Sequence, residues 1–207
     1  MKKVLLALGF TLAAASAQAA TITMGDLQLV TRDAITFSGG PHSIIDINGV
    51  DATGGVFGQL SALQNTTFAV TFLGFEATRT NFFVSNGTSV VGSSNKEATV
   101  GQTFFFDVAE GVIDFGFRGP VVTALNTDIF DQRIAYITND GSYIDANTNN
   151  PFAFLIGFND GDEIDGDYDD YVVGVSAVPV PAALPLMASA LGAFGIARRR
   201  NKAKAAQ

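Results

Sequence analysis

The sequence predicts an all-β fold: a single β-sandwich or jelly-roll domain between an N-terminal signal peptide and a C-terminal hydrophobic helix. Three observations carry this. Apolar and polar residues alternate with a period of two through the middle of the chain, as a strand with one buried face requires. Turn-forming residues punctuate that pattern at short intervals, and no stretch between the two ends keeps a helical period for ten residues. Strands at roughly 8–12 residue spacing favour a sandwich or jelly roll over other all-β plans.

Taken in order, Lys2 and Lys3 precede an apolar run from Val4 to Ala15 and a small-residue site at Ala17-Gln18-Ala19. That is the form of a secretory signal peptide, 1–19, with Ala20 as the mature start. Candidate strands follow at Ile22–Val30, Ala34–Phe37, Ser43–Ile47, Val56–Leu60 and Thr67–Phe72. Phe82–Val84, Thr103–Val108, Ile113–Arg118, Gln132–Thr138, Phe152–Phe158 and Tyr171–Val178 continue the series. Gly39-Gly40-Pro41, Asn48-Gly49, Asn86-Gly87 and Asn139-Asp140-Gly141 supply turn chemistry between them. Most of the 18 phenylalanines fall inside these runs and read as core.

Residues 20–177 are long enough for one domain with a sizeable core. The whole chain carries a formal charge of −8, but the imbalance is concentrated. Lys2, Lys3, Arg198, Arg199, Arg200, Lys202 and Lys204 lie in the two ends, which leaves Arg32, Arg79, Lys96, Arg118 and Arg133 against all 20 acids. Such a domain repels nucleic acid and anionic lipid and attracts divalent cations. There is no cysteine, so disulfides, thiolate metal sites and a cysteine nucleophile are excluded. His42 is the only histidine and sits in a Gly/Pro turn, without a second imidazole for a transition-metal site. No Gly-x-Ser-x-Gly elbow is present.

The last 30 residues, 178–207, have an ordered three-part form. Val178-Pro179-Val180-Pro181-Ala182 leads into the apolar run Ala183–Ala197, which ends at Arg198-Arg199-Arg200. Prolines cannot continue a helix, so the first part reads as an extended, exposed stretch. The apolar run is 15 residues, shorter than the ~20 a spanning helix needs, so flanking residues must help it cross. The arginines act as a membrane stop on the cytoplasmic side. This order resembles the PEP-CTERM class of bacterial sorting signals, and within it the VPLPA-CTERM variant, with Val180 in place of the usual Leu. The resemblance implies a Gram-negative source, export by the secretion machinery, removal of the leader by signal peptidase and transient anchoring in the inner membrane. It further implies cleavage near Val178–Pro181 by an exosortase and release to the cell surface or extracellular matrix.

The densest local chemistry is Asn159-Asp160-Gly161-Asp162-Glu163-Ile164-Asp165-Gly166-Asp167-Tyr168-Asp169-Asp170. Carboxylates this crowded repel one another unless a cation neutralises them, and hard oxygen donors suit Ca²⁺. Asp160, Asp162, Asp165, Asp167, Asp169 and Asp170 are therefore the expected ligands of a structural calcium ion. The segment is not an EF-hand, because Asp170 stands where that loop needs glycine and Ser176 where it needs a bidentate Glu. Gly166-Asp167-Tyr168-Asp169-Asp170 also resembles an acidic motif that precedes the final strand of many exported bacterial β-domains.

The expected function is a non-catalytic structural or interaction protein of the surface or matrix, with extracellular polysaccharide as a candidate partner. Two alternatives remain open at this point. One is a secreted carbohydrate-active enzyme with paired carboxylates, for which Glu76, Glu97 and Glu110 are isolated candidates more simply read as solvent-facing. The other is a carbohydrate-binding module, which would show a row of exposed aromatics on one sheet face.

Overall fold

A computed structural model describes residues 19–37, 52, 54–87, 89–138, 143–145, 149–161 and 166–178. The signal peptide, the candidate strand Ser43–Ile47, three of the four expected turns and the tail beyond Val178 lie outside those residues. Within them the chain is all-β, with 15 strands and no helix. No described helix is long and apolar enough to cross a membrane.

The strands begin with the hairpin β1 (Thr21–Met24) and β2 (Leu27–Thr36), then β3 (Gly54–Ala62), β4 (Thr66–Gly74), β5 (Phe82–Ser85) and β6 (Ser89–Ser94). They continue with β7 (Thr103–Val108), β8 (Gly111–Val112), β9 (Phe115–Arg118), β10 (Thr123–Leu125) and β11 (Ile134–Thr138). The last four are β12 (Ile144–Asp145), β13 (Asn150–Pro151), β14 (Phe154–Phe158) and β15 (Tyr171–Val178). A nine-stranded antiparallel sheet runs β1-β2-β3-β11-β14-β15-β4-β7, with β8 beside β3. A four-stranded sheet runs β10-β9-β5-β6, and β12 pairs with β13.

The large sheet is forced to coil. Three residues join β3 to β4, yet β11, β14 and β15 lie between those strands in the sheet order. In a flat sheet the gap would be about 19 Å, whereas the connection spans at most about 14 Å. Coiling brings the ends of the sheet round, and the β1–β2 turn at Met24–Asp26 faces Ala69, Phe105 and Ser176 across a groove of about 410 Å³.

Alternation along the central strands sorts side chains to two apolar layers. Leu29, Leu60, Phe68, Val70, Tyr136, Ile156, Phe158, Tyr171 and Val173 meet Phe83, Phe115 and Phe117 of the small sheet in one core. Ring contacts cross this layer: Phe117 stacks on Phe158 at 5.0 Å, and Phe115 on Phe68 at 5.8 Å. The opposite face buries Phe57, Ala135, Phe152, Leu155 and Tyr168. All five residues of β14 are consequently buried, and so are the first five of β15. The two sheets sharing one core give a sandwich-like arrangement, in which phenylalanine is chiefly core material.

Several boundaries differ from the sequence expectation. The run Ile22–Val30 is broken by a tight turn at Gly25, whose φ of +60° lies in the left-handed region. Ala34–Phe37 is no separate strand, because β2 continues through a bulge between Thr31 and Ala34. Asn86-Gly87 does make the expected hairpin turn, both residues having positive φ, and it returns the chain into β6. β6 and β10 had no alternation to announce them.

One buried polar side chain ties the layers together. Asn126 Oδ1 accepts from the Leu60 amide at 2.7 Å and from the Tyr136 hydroxyl at 2.6 Å. Its Nδ2 donates to the carbonyls of Leu60 and Ile113 at 2.8 and 2.6 Å. Replacing it by an apolar residue leaves four buried groups without this partner. Asn126→Ala is therefore expected to lower unfolding stability by about 2–4 kcal/mol, and Tyr136→Phe by about 1 kcal/mol. Urea unfolding measures both; an Asn126→Ala loss below that of Tyr136→Phe would contradict the assigned role.

Candidate functional site

The acidic segment joins β14 to β15, neighbours in the middle of the large sheet. Asp162, Glu163 and Asp165 lie outside the described residues, as do His42, Pro179–Ala182 and Arg198–Arg200. The segment's two ends are well anchored. Asn159 donates its amide to the Arg133 carbonyl at 3.0 Å, and its Oδ1 accepts the Gly161 amide at 2.9 Å. On the return, Tyr168 is fully buried against the rings of Phe37 and Phe57, and its hydroxyl donates to the Gln132 carbonyl at 2.7 Å. Asp169 then forms a parallel bridge with Phe158 before β15 begins.

The expected ligands divide into two sets with opposite surroundings. Asp160, buried, is supplied with donors at each oxygen. Arg79 Nη1 reaches its Oδ1 at 3.1 Å and its carbonyl at 2.7 Å, while Asn81 Nδ2 reaches Oδ2 at 2.6 Å. Asp170 Oδ2 accepts the Asp160 amide at 2.6 Å and so closes the loop on itself. Asn81 is held in turn by Asn95, through an amide-to-Oδ1 bond at 2.9 Å and the reciprocal amide-to-carbonyl bond at 2.9 Å. Asn95 Nδ2 also donates to the Arg79 carbonyl at 3.0 Å. Burial makes an unpaired carboxylate costly, and this donor set offsets that cost. Arg133 adds a bond from Nη1 to the Gly161 carbonyl at 2.5 Å.

Asp167 and Asp169 face a third acid, Glu76, from the connection between β4 and β5. The Glu76 amide donates to the Asp169 carbonyl at 2.9 Å, which pins the two segments side by side. Asp169 is only 1% exposed, and its Oδ2 has no hydrogen-bond partner among the described residues. Burial pushes the Asp169 carboxyl up to about 9, and the adjoining carboxyls of Asp167 and Glu76 push in the same direction. With only acids around it, that carboxyl is stable when it shares a proton or a cation. Gly166, at φ +88°, turns the backbone into this cluster from a conformation open mainly to glycine. Among the described residues no three Asp, Glu, His or Cys side chains already stand in a ligating arrangement.

Sequence reasoning found the acidic segment but missed its partners. Glu76 was expected to face solvent; its side chain is exposed, yet it meets Asp169. Arg79, Asn81 and Asn95 carry no local pattern, though the scarcity of cations in the domain could have singled out Arg79. As to the alternatives, the two most exposed of the described phenylalanines, Phe105 and Phe130, lie on β7 and in the turn after β10, so they form no single-strand row. Comparison of the chain with protein-family models, curated proteins and solved structures finds no match.

The Asp169 shift predicts an unusual pH dependence. A folded value near 9 against an ordinary 3.8 means the folded protein keeps a proton that the unfolded chain releases. Its stabilising contribution is complete below the ordinary value and is lost as pH rises toward the folded one. In chelator, this contribution to stability should decline from about pH 4 to pH 9. Asp169→Asn should flatten the decline in denaturant titrations across that range, and an unchanged slope would refute the coupling.

Proposed function

We propose that this chain is an exported, non-catalytic component of the bacterial surface or extracellular matrix, processed at both ends. The observation that supports it most is that the described strands nearest the two processing points read from the sequence are tied firmly into the sheet. The Ala20 amide donates to Thr31 Oγ1 at 3.1 Å, and its carbonyl accepts from the Thr31 amide at 2.8 Å, so the expected mature start is itself bonded to β2. At the other end, β15 lies between β14 and β4 and runs to Val178, whose carbonyl accepts from Thr66 Oγ1 at 3.1 Å. Cleavage after Ala19 and near Val178–Pro181 would keep the described strands together in the mature chain, β15 ending at that second point.

The two sheets around one core fit a β-sandwich better than a jelly roll built from two equal sheets. The acidic surface and mostly structural polar networks suit a protein that fills or bridges a matrix. Polysaccharide binding is a second reading, favoured by the groove beside exposed Phe105, with Thr103, Asn150 and Ser176 as polar lining. Glycan retardation in affinity gels that is lost in Phe105→Ala would support it.

Processing is tested by intact mass of protein recovered from the surface or medium of the native host. The mass should correspond to a chain beginning at Ala20 and lacking Arg198–Gln207. A mature pool that retains the arginines would overturn the sorting reading in favour of a permanent anchor.

A further inference from the structure

We infer that β7 is the interface of a closed two-fold dimer, in which the β7 strands of two copies pair antiparallel and join their large sheets edge to edge. β7 is the last strand of the large sheet, and no described strand pairs with its outer side. The inference does not rest on the export reading, and it gives to a second copy the Phe105 ring that glycan binding would otherwise use.

The edge is unprotected. Natural edge strands avoid association through lysine, proline, bulges or short length. β7 reads Thr-Phe-Phe-Phe-Asp-Val, with neither lysine nor proline, and its register with β4 is unbroken. Phe105 is 60% exposed on one face, and Phe104 and Phe106 on the other are only partly buried. Beside them β6, the end strand of the small sheet, sets Gly92 against the Phe104 ring, so both sheet edges share this side of the fold. β6 also lacks lysine and proline, and it exposes Val90. A stable interface buries about 1,200 Å² or more in total. One pair of short strands falls below that, and the adjoining β6 edge widens the contact.

Backbone geometry and charge select the register and the occupant. The Phe72 amide donates to the Gln102 carbonyl at 2.9 Å. Alternation from that point turns the backbone groups of Phe104 and Phe106 toward β4 and those of Phe105 and Asp107 outward. Outward groups must meet outward groups. A two-fold axis at Phe105 satisfies this along the whole strand, with Phe105 facing its own copy and Asp107 facing Thr103. Ring meets ring at the axis, an aromatic cross-strand pair. Asp107 avoids its twin and meets a hydroxyl, as it already does with Thr67 Oγ1 at 2.8 Å inside one chain. Because one patch serves both copies, the contact closes at two and does not grow into a fibre. Net charge opposes it, since residues 20–177 carry five cations against 20 acids, so added salt should favour pairing.

The test is sedimentation of the full chain across protein and salt concentrations, in mild detergent so that the apolar run Ala183–Ala197 does not itself drive association. A monomer–dimer equilibrium is expected, strengthening several-fold as salt is raised. Phe105→Lys should weaken it by about tenfold or more and leave the melting temperature nearly unchanged, because the side chain is exposed. The added cation lowers the net charge, so that loss cannot come from overall repulsion. The absence of cysteine gives a second readout. Residues facing each other at the axis lie about 5.5 Å apart at Cα, within disulfide reach. Phe105→Cys should therefore oxidise to a covalent dimer, whereas Asp107→Cys, about 14 Å from its twin, should not. A chain that stays monomeric throughout overturns the inference, as does association that grows beyond two copies. Dimers unmoved by Phe105→Lys overturn it too, and so does Asp107→Cys bridging as readily as Phe105→Cys.

Discussion

Burial of β14 and β15 on both faces is the constraint on which the rest depends. Residues 154–158 and 171–175 have no solvent side, so neither strand can carry a charge along that length. Polar groups are displaced to the strand ends, and the connection between these strands receives them. A charged loop leaving a doubly buried pair starts in a low-dielectric setting. Its first and last acids, Asp160 and Asp170, lie within reach of the sheet and need donors there. The Arg79, Asn81 and Asn95 network follows from that requirement, although those residues are far from the loop in sequence.

The distribution of cations sharpens the point. Of the five in residues 20–177, Arg79 and Arg133 bond to Asp160 and Gly161, and Lys96 donates to the Ala77 carbonyl while lying over the Phe75 ring at 4.4 Å. Three of five thus gather at one end of the sandwich-like fold. The other two cover aromatic surface, Arg32 over Phe57 and Arg118 over Phe82. Asp169 Oδ2 has no hydrogen-bond partner among the described residues. A domain this short of positive charge satisfies one buried carboxylate with protein groups and leaves its neighbour to a proton or an external ion.

What could be read from the sequence follows from which forces are local. Alternation is local, so β4, β7, β9 and β11 were legible at nearly their true limits, and Asn86-Gly87 announced its turn. β6, Ser89–Ser94, alternates little and holds its place by pairing with β5, which only the folded chain reveals. Double burial of β14 was equally hidden, because a short continuous apolar run does not say how many layers cover it. The site divides the same way. Local density exposed Asp160 to Asp170 as a unit. The split between donor-rich and donor-poor acids came from Arg79, Asn81 and Glu76, brought in by the β4–β15 pairing, and nothing in the loop's own residues encodes it.

That split bears on how a cysteine-free domain holds its central connection. Without disulfides, the described part of the connection between its central strands is held by hydrogen bonds, the Arg79–Asp160 ion pair and the buried ring of Tyr168. Each of these is complete without an ion, so folding itself need not await one. The Asp169 cluster is different in kind: it is fixed by backbone contacts that form with the sheet, and its charge is resolved afterwards. A proton held there stabilises a fold already formed, rather than nucleating it.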